Sequence, residues 1–371
     1  MEITVKKRDI LNEVLLTQAV VERKTTIPIL ANILIETSEE KINLVATDLD
    51  VGIKSSCPAK VIETGAITTP AKNFLEIIRS LPDKEIKIKK LENSWVQIKC
   101  DSALFKIVGL PTDNFPTLPE CETDVCQIPS EILLTLINKT IFSVAKEETR
   151  FALNGALLLL KPLSVTMVAT DGHRLAHIEK MFEFKNINTE ISTLISRKAL
   201  AELQKLLAEV GEKEMVGFGR DETHIFFRVS GRLMIARMLT GQFPNYDAVI
   251  PKENKGSIIL DREEFSSAIK RISLLADDKS RSVRVVLEDN KLEISSSNAN
   301  LGEANQQIST TYSGEKLQLG FNCQYLLEFL AATEDYSISF DFKDSQSSGL
   351  LRPANEENEY RYRYIVMPMR I

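Results

Sequence analysis

Two short constellations in this sequence could do chemistry: Asp48-x-Asp50, and Asp171-x-His173 within Thr170-Asp171-Gly172-His173-Arg174. Carboxylates and an imidazole so spaced suit a divalent ion, and a metal-dependent hydrolase is the activity they would serve. The rest of the sequence argues against it. Asp50 falls opposite His173 when the chain is aligned on itself, and a third equivalent stretch ends in Asn298 where the others have aspartate. The chain has three histidines (His173, His177, His224), and no HExxH, GxSxG or P-loop pattern accompanies them. Cys121 and Cys126 lack a second ligand pair, so no zinc site is expected. The expectation is a non-catalytic protein without metal or cofactor.

The elements that carry these residues repeat. Lys41–Asp48, Ser164–Asp171 and Lys291–Asn298 each alternate apolar and polar residues and end in a small polar turn, at offsets of 123 and 127 residues. That pattern predicts half-buried strands. Helical periodicity recurs at nearly the same interval over 6–20, 129–145 and 261–275, with Asp9, Ser130 and Asp261 placed to cap the helix starts. A second helix per unit is expected over 70–81, 196–208 and 321–332, with Leu75, Leu200 and Leu326 at equivalent positions. Phe115-Pro116 and Phe243-Pro244 lie 128 residues apart and should end a strand and begin a connection between units. Units of about 124 residues suit self-sufficient domains and are too long for a solenoid repeat. The fold class is α+β, with three similar domains at 1–120, 128–250 and 251–371, each with two helices and antiparallel sheets.

The chain has 371 residues, 43% of them apolar and 26% charged, the balance of a soluble globular protein. No apolar run approaches the roughly 18 residues of a membrane span. The N-terminal residues do not read as a signal peptide, and five scattered cysteines read as reduced thiols, so a cytoplasmic protein is expected. A net charge of −6 argues against holding nucleic acid by bulk Coulomb attraction. The six predicted helices nevertheless carry +3 together, which leaves −9 for the remainder. The asymmetry is modest, and any nucleic-acid role must depend on where the charges sit.

Val168-Ala169-Thr170-Asp171-Gly172-His173-Arg174-Leu175-Ala176 resembles the bacterial DNA polymerase III β sliding clamp family. Thr26–Leu30, Arg150–Gly155, Phe243-Pro244-Asn245-Tyr246 and the terminal Val366–Ile371 extend the resemblance over the whole chain. It implies the DNA clamp fold: two chains paired head to tail into a ring, with helices lining the hole. It also implies a processivity factor that encircles double-stranded DNA without sequence preference and tethers other proteins to it. The implied partners are the DNA polymerase III alpha subunit and other DNA polymerases, a clamp loader complex, and mismatch-repair and ligase-type proteins with clamp-binding peptides, besides a second copy of the chain.

By position, the resemblance assigns a peptide-binding pocket to Leu153, Thr170, Gly172, His173, Arg174, Leu175, Pro244, Val249, Val366, Met367, Pro368 and Met369. DNA-facing cations would be Lys24, Lys72, Arg79, Arg197, Lys198 and Lys205, and the dimer interface would comprise Phe105, Ile107, Leu274 and Leu275. A few apolar anchors with adaptable methionines suit short linear peptides of differing sequence. Ala248 stands where the family more often has arginine, which alters the pocket's polar rim. The residues alone leave two further readings open, a clamp-like interaction scaffold that does not encircle DNA and the metal-dependent hydrolase.

Overall fold

A computed structural model describes residues 1–21, 26–121, 123–146, 149–355 and 359–370. Six helices form where the apolar periodicity placed them: α1 (Lys7–Val20), α2 (Ala71–Ser80), α3 (Ser130–Asn138), α4 (Arg197–Ala208), α5 (Arg262–Ile272) and α6 (Cys323–Ala332). Leu75, Leu200 and Leu326 are all buried. The helices over 129–145 and 261–275 end sooner than expected. Each gives way to a short 3-10 turn, Ile141–Ser143 and Ser273–Leu275.

Of the three expected caps, only Asp261 acts as one, its carboxylate accepting the Glu264 N–H at 2.7 Å. Asp9 lies inside the first turn of α1, where its negative charge still faces the positive end of the helix. The Ser130 hydroxyl turns away from its helix and donates to the carbonyls of Gly211 and Glu212. Asn322, at the start of α6, does cap, accepting the Gln324 N–H at 2.9 Å.

The chain's contacts resolve into two compact units, residues 1–134 with 198–238 and residues 135–197 with 239–371. The first unit holds a five-stranded antiparallel sheet in the order Lys60–Glu63, Glu2–Lys6, Glu85–Lys90, Trp95–Cys100, Ala103–Val108. Its second sheet has eight strands, in which Arg232–Arg237 pairs antiparallel with Val51–Pro58 and so joins the second repeat to the first. Ile10 and Val14 of α1 and Phe74 and Ile78 of α2 pack into one core with Ile3, Ile33, Leu44 and Ile98 from the strands.

The second unit repeats this plan. Tyr360–Val366 pairs antiparallel with Arg174–Met181, joining the third repeat to the second within another eight-stranded sheet. A four-stranded sheet ends on Gly302–Ser309. Tyr364 is wholly buried and stacks on Phe329 of α6, with ring centroids 5.0 Å apart.

The Phe-Pro pairs do not end strands. Their strands stop earlier, at Val108 and Arg237. Phe115 instead pins the connecting segment to a small cluster of Ile29, Leu30 and Val45. Phe243 does the same on a cluster that includes Leu175 and Ile365. Proline still serves here, but in a linker anchored by its neighbouring aromatic ring.

Candidate peptide-binding site and DNA-facing residues

The Thr-Asp motifs are hairpin turns. The Asp171 carboxylate oxygen Oδ1 accepts the N–H groups of His173 and Arg174 at 2.9 and 3.1 Å. The Thr170 hydroxyl accepts the Gly172 N–H at 3.1 Å and donates to the Arg174 carbonyl. Gly172 takes a φ of +88°, a conformation that glycine adopts without steric cost. Asp48 does the same for Asp50 and Val51, and Asn298 accepts the Asn300 N–H in the third copy. These side chains close turns and are not arranged around an ion. Among the described residues no group of three or more His, Cys, Asp or Glu side chains could hold a metal.

The turn delivers Arg174 into a buried network. Its guanidinium bonds Asp171 Oδ2 at 3.0 Å, pairs with Glu328 on α6 and donates to the Phe142 carbonyl. The Tyr325 ring lies 4.3 Å below it. Arg174 is therefore committed inside the protein and positions the turn. The exposed face is left to Gly172 and His173.

The C-terminal segment docks against this turn. Val366 lies opposite Arg174 as its strand partner, Met367 N–H donates to the His173 carbonyl at 2.9 Å, and Met369 N–H donates to the Gly320 carbonyl at 2.8 Å. Met367, Pro368 and Met369 are half-buried. Beside them, Leu175, Ile250, Leu350 and Ile365 form a buried apolar floor, overlain by half-buried Phe243, Tyr246 and Val249. Leu153 and Val366 are almost wholly buried and can only support a wall from behind. Pro244 and Ala248 are exposed at its edge.

Phe243, Tyr246, Leu350 and Ile365 were not among the residues assigned to the pocket from sequence, nor was Phe151, which is 68% exposed beside Leu153. An aromatic residue left this open next to an apolar floor was not distinguishable in sequence from a core residue. All twelve residues expected at the pocket lie in the second unit, where the Thr170–Leu175 turn and Val366–Met369 adjoin one another.

The expected DNA-facing cations stand differently. Lys72 and Arg79 are exposed on α2. Lys205 is exposed on α4 but bonds Glu202 at 2.8 Å. Arg197 and Lys198 occupy the first turn of α4, where a positive charge opposes the helix dipole. Lys198 offsets this by pairing with the buried Asp48 carboxylate, and Arg197 donates to the Val144 carbonyl at 3.4 Å. Lys24 lies outside the described residues.

Family models described as the N-terminal, central and C-terminal domains of the DNA polymerase III beta subunit match residues 1–119, 127–245 and 247–370. The chain belongs to the DNA polymerase III beta subunit family. It is a sliding clamp by that membership, with the clamp fold and no catalytic activity of its own. The beta sliding clamp of Pseudomonas putida is 31% identical over 373 residues, with all of both chains covered. That of Chlamydia pneumoniae is 30% identical, covering all of this chain and 99% of the relative. Among solved structures, the Bartonella birtlesii clamp bound to griselimycin matches with a TM-score of 0.94 at 33% identity over all of both chains. The Caulobacter crescentus clamp, with polyethylene glycol bound to its putative beta-motif tethering region, matches at 0.93 and 30%, again over all of both chains. In this clamp no described helix is long and apolar enough to cross a membrane.

Proposed function

We propose that this clamp acts in the cytoplasm as a processivity factor: two chains close head to tail around duplex DNA. The apolar floor beside Met367–Met369 then tethers the polymerase III alpha subunit, other polymerases, a clamp loader and repair proteins through short peptides. Lys72, Arg79, Arg197, Lys198 and Lys205, with Lys24, face the DNA. Domain boundaries fall near residues 120 and 250. A ring of this kind needs no tight grip, because its residence time on DNA depends on the seam and not on phosphate affinity. Weak cations then allow sliding.

The observation that carries this reading is the strand pairing at the two junctions inside the chain. Val51–Pro58 and Arg174–Met181 are equivalent strands, and each receives an edge strand from the next repeat. The third member of the first set is Gly302–Ser309, at the edge of its sheet; the third member of the second set is Ala103–Val108, also at an edge. Pairing those two edges between chains is the same contact made a third time, and it closes the assembly.

Continuing the register of the first junction, where Val51 lies opposite Ala236, sets Gly302 opposite Ile107. Glu303 then meets Lys106, and Leu301 meets Val108, both apolar residues more than half exposed in the single chain. Phe105 and Ile107 lie on this edge strand and already pack on the core of the first unit. Leu274 and Leu275 form a turn beside Gly302–Ser309, and Leu274 is 77% exposed. A zero-length carbodiimide cross-link tests the register. The expected product is a dimer joined through Glu303 and Lys106 of the partner subunit. Dimers joined only at other positions would overturn the pairing.

A further inference from the structure

A cavity lies along the same eight-stranded sheet, adjoining the apolar floor through Ile250 and Leu350. It encloses about 590 Å³, within the range of roughly 300–1,000 Å³ typical of small-molecule sites. Its distinguishing feature is arginine. Arg361 and Arg363 are two residues apart on Tyr360–Val366 and so share one face of the strand. Arg352 comes from the adjacent strand Gly349–Pro353.

The three differ in how they are neutralised. Arg352 is fixed by Asp341, whose carboxylate bonds its Nε at 3.1 Å and also accepts the hydroxyls of Ser257 and Ser339. Arg361 is exposed. Arg363 is half-buried, and its only hydrogen-bond contacts among the described residues place Nη2 3.4 Å from both ring nitrogens of His177. Its Nε is buried without a partner. The neighbouring imidazole supplies no negative charge. Burial, with Arg363, Arg361 and Lys161 nearby, pushes His177 down to about 3 and leaves it neutral. For Arg363 itself, burial and Arg361 outweigh the attraction of Glu179 and Asp247 and weaken its hold on the proton. A half-buried charge without a bonded counter-ion, beside a second like charge, is a cost the fold bears unless something else supplies the anion.

We propose that this cavity is an anion site for a small oligophosphate, with the Arg361 and Arg363 guanidiniums as its reading groups and Arg352 held in place by Asp341. Planar guanidinium forks match phosphate oxygens in pairs, which ammonium groups do not. A nucleoside triphosphate and inorganic triphosphate share this chemistry. The cavity shares Ile250 and Leu350 with the peptide floor, but its arginines lie outside that floor, and the inference does not depend on the floor's role.

The test is calorimetric titration of the intact clamp, without DNA or Mg²⁺, using inorganic triphosphate, ATP and adenosine. Triphosphate and ATP should bind and adenosine should not. Arg361→Gln and Arg363→Gln should each weaken triphosphate by about tenfold or more. Should Arg363→Gln fail to fold, Arg361→Gln, at an exposed position, carries the same comparison. No binding of triphosphate, binding of ATP alone, or undiminished binding by the folded variants would each overturn the site.

Discussion

The turns at Thr47–Val51 and Thr170–Arg174 share one backbone design and put it to different uses. In both, aspartate accepts two N–H groups, and the preceding threonine accepts one and donates to a carbonyl. The spare Asp48 oxygen pairs with Lys198, and the turn ends in buried Val51. The spare Asp171 oxygen pairs with Arg174, which ties the turn to α6 while the C-terminal methionines dock on its far side. The hydrogen-bonded frame came with the repeat. The copies differ in the residues at its third to fifth positions: Leu49, Asp50 and Val51 in one copy, Gly172, His173 and Arg174 in the other.

If that division is correct, the second turn should be vulnerable where the first is not. Deleting Met369–Ile371 should abolish binding of a partner peptide while the protein still sediments as a dimer. Unchanged peptide affinity after the deletion would break the distinction. Arg174→Ala leaves Glu328 and Asp171 without their counter-charge in a mostly buried site, and should lower stability by about 3 kcal/mol in urea unfolding. It should also weaken the peptide by misplacing the turn. An effect no larger than that of an ordinary surface substitution would contradict the network.

The strands that follow the two turns differ in their response to pH. His177 is pushed down to about 3 by burial and neighbouring cations, so between its unfolded value near 6.5 and that value the unfolded chain takes up the proton first. Stability contributed by His177 is thus complete above about pH 6.5 and falls with acidification by at most about 1.4 kcal/mol per pH unit. His177→Gln should flatten that slope. Lys54→Gln, at the equivalent position in the first repeat, should leave it unchanged.

The smallest effects concern the turn's third residue. Leu49 holds a φ of +80° where the second copy has Gly172. Leu49→Gly should therefore stabilise by about 1 kcal/mol, and Gly172→Ala should destabilise by about the same. The added Cβ at Gly172 would also sit 3.2 Å from the Arg150 guanidinium. Equal and opposite shifts in urea midpoint would sharpen the comparison; shifts of the same sign would blur it.

Much of this was legible in the sequence because it rests on local periodicity. The six helices and the three repeated strands follow from the spacing of Ile10, Leu133, Phe265 and their neighbours. What escaped rests on tertiary partners. Nothing in the spacing says that Ser130 turns its hydroxyl toward Gly211, or that Lys198 pairs with Asp48. Nor does the sequence separate Arg174, which is consumed internally, from His173 beside it, which is exposed. The residues assigned to the pocket were reached through the family pattern; in the fold Gly172, His173 and Pro244 are exposed, while Leu153 and Val366 are buried.

The central claim is topological, and retention on DNA tests it most directly. Clamp loaded onto a nicked circular plasmid should stay bound through gel filtration, and should run off when one restriction cut linearises the circle. Equal retention on both forms would mean that the protein holds DNA by contact alone, and would contradict the ring.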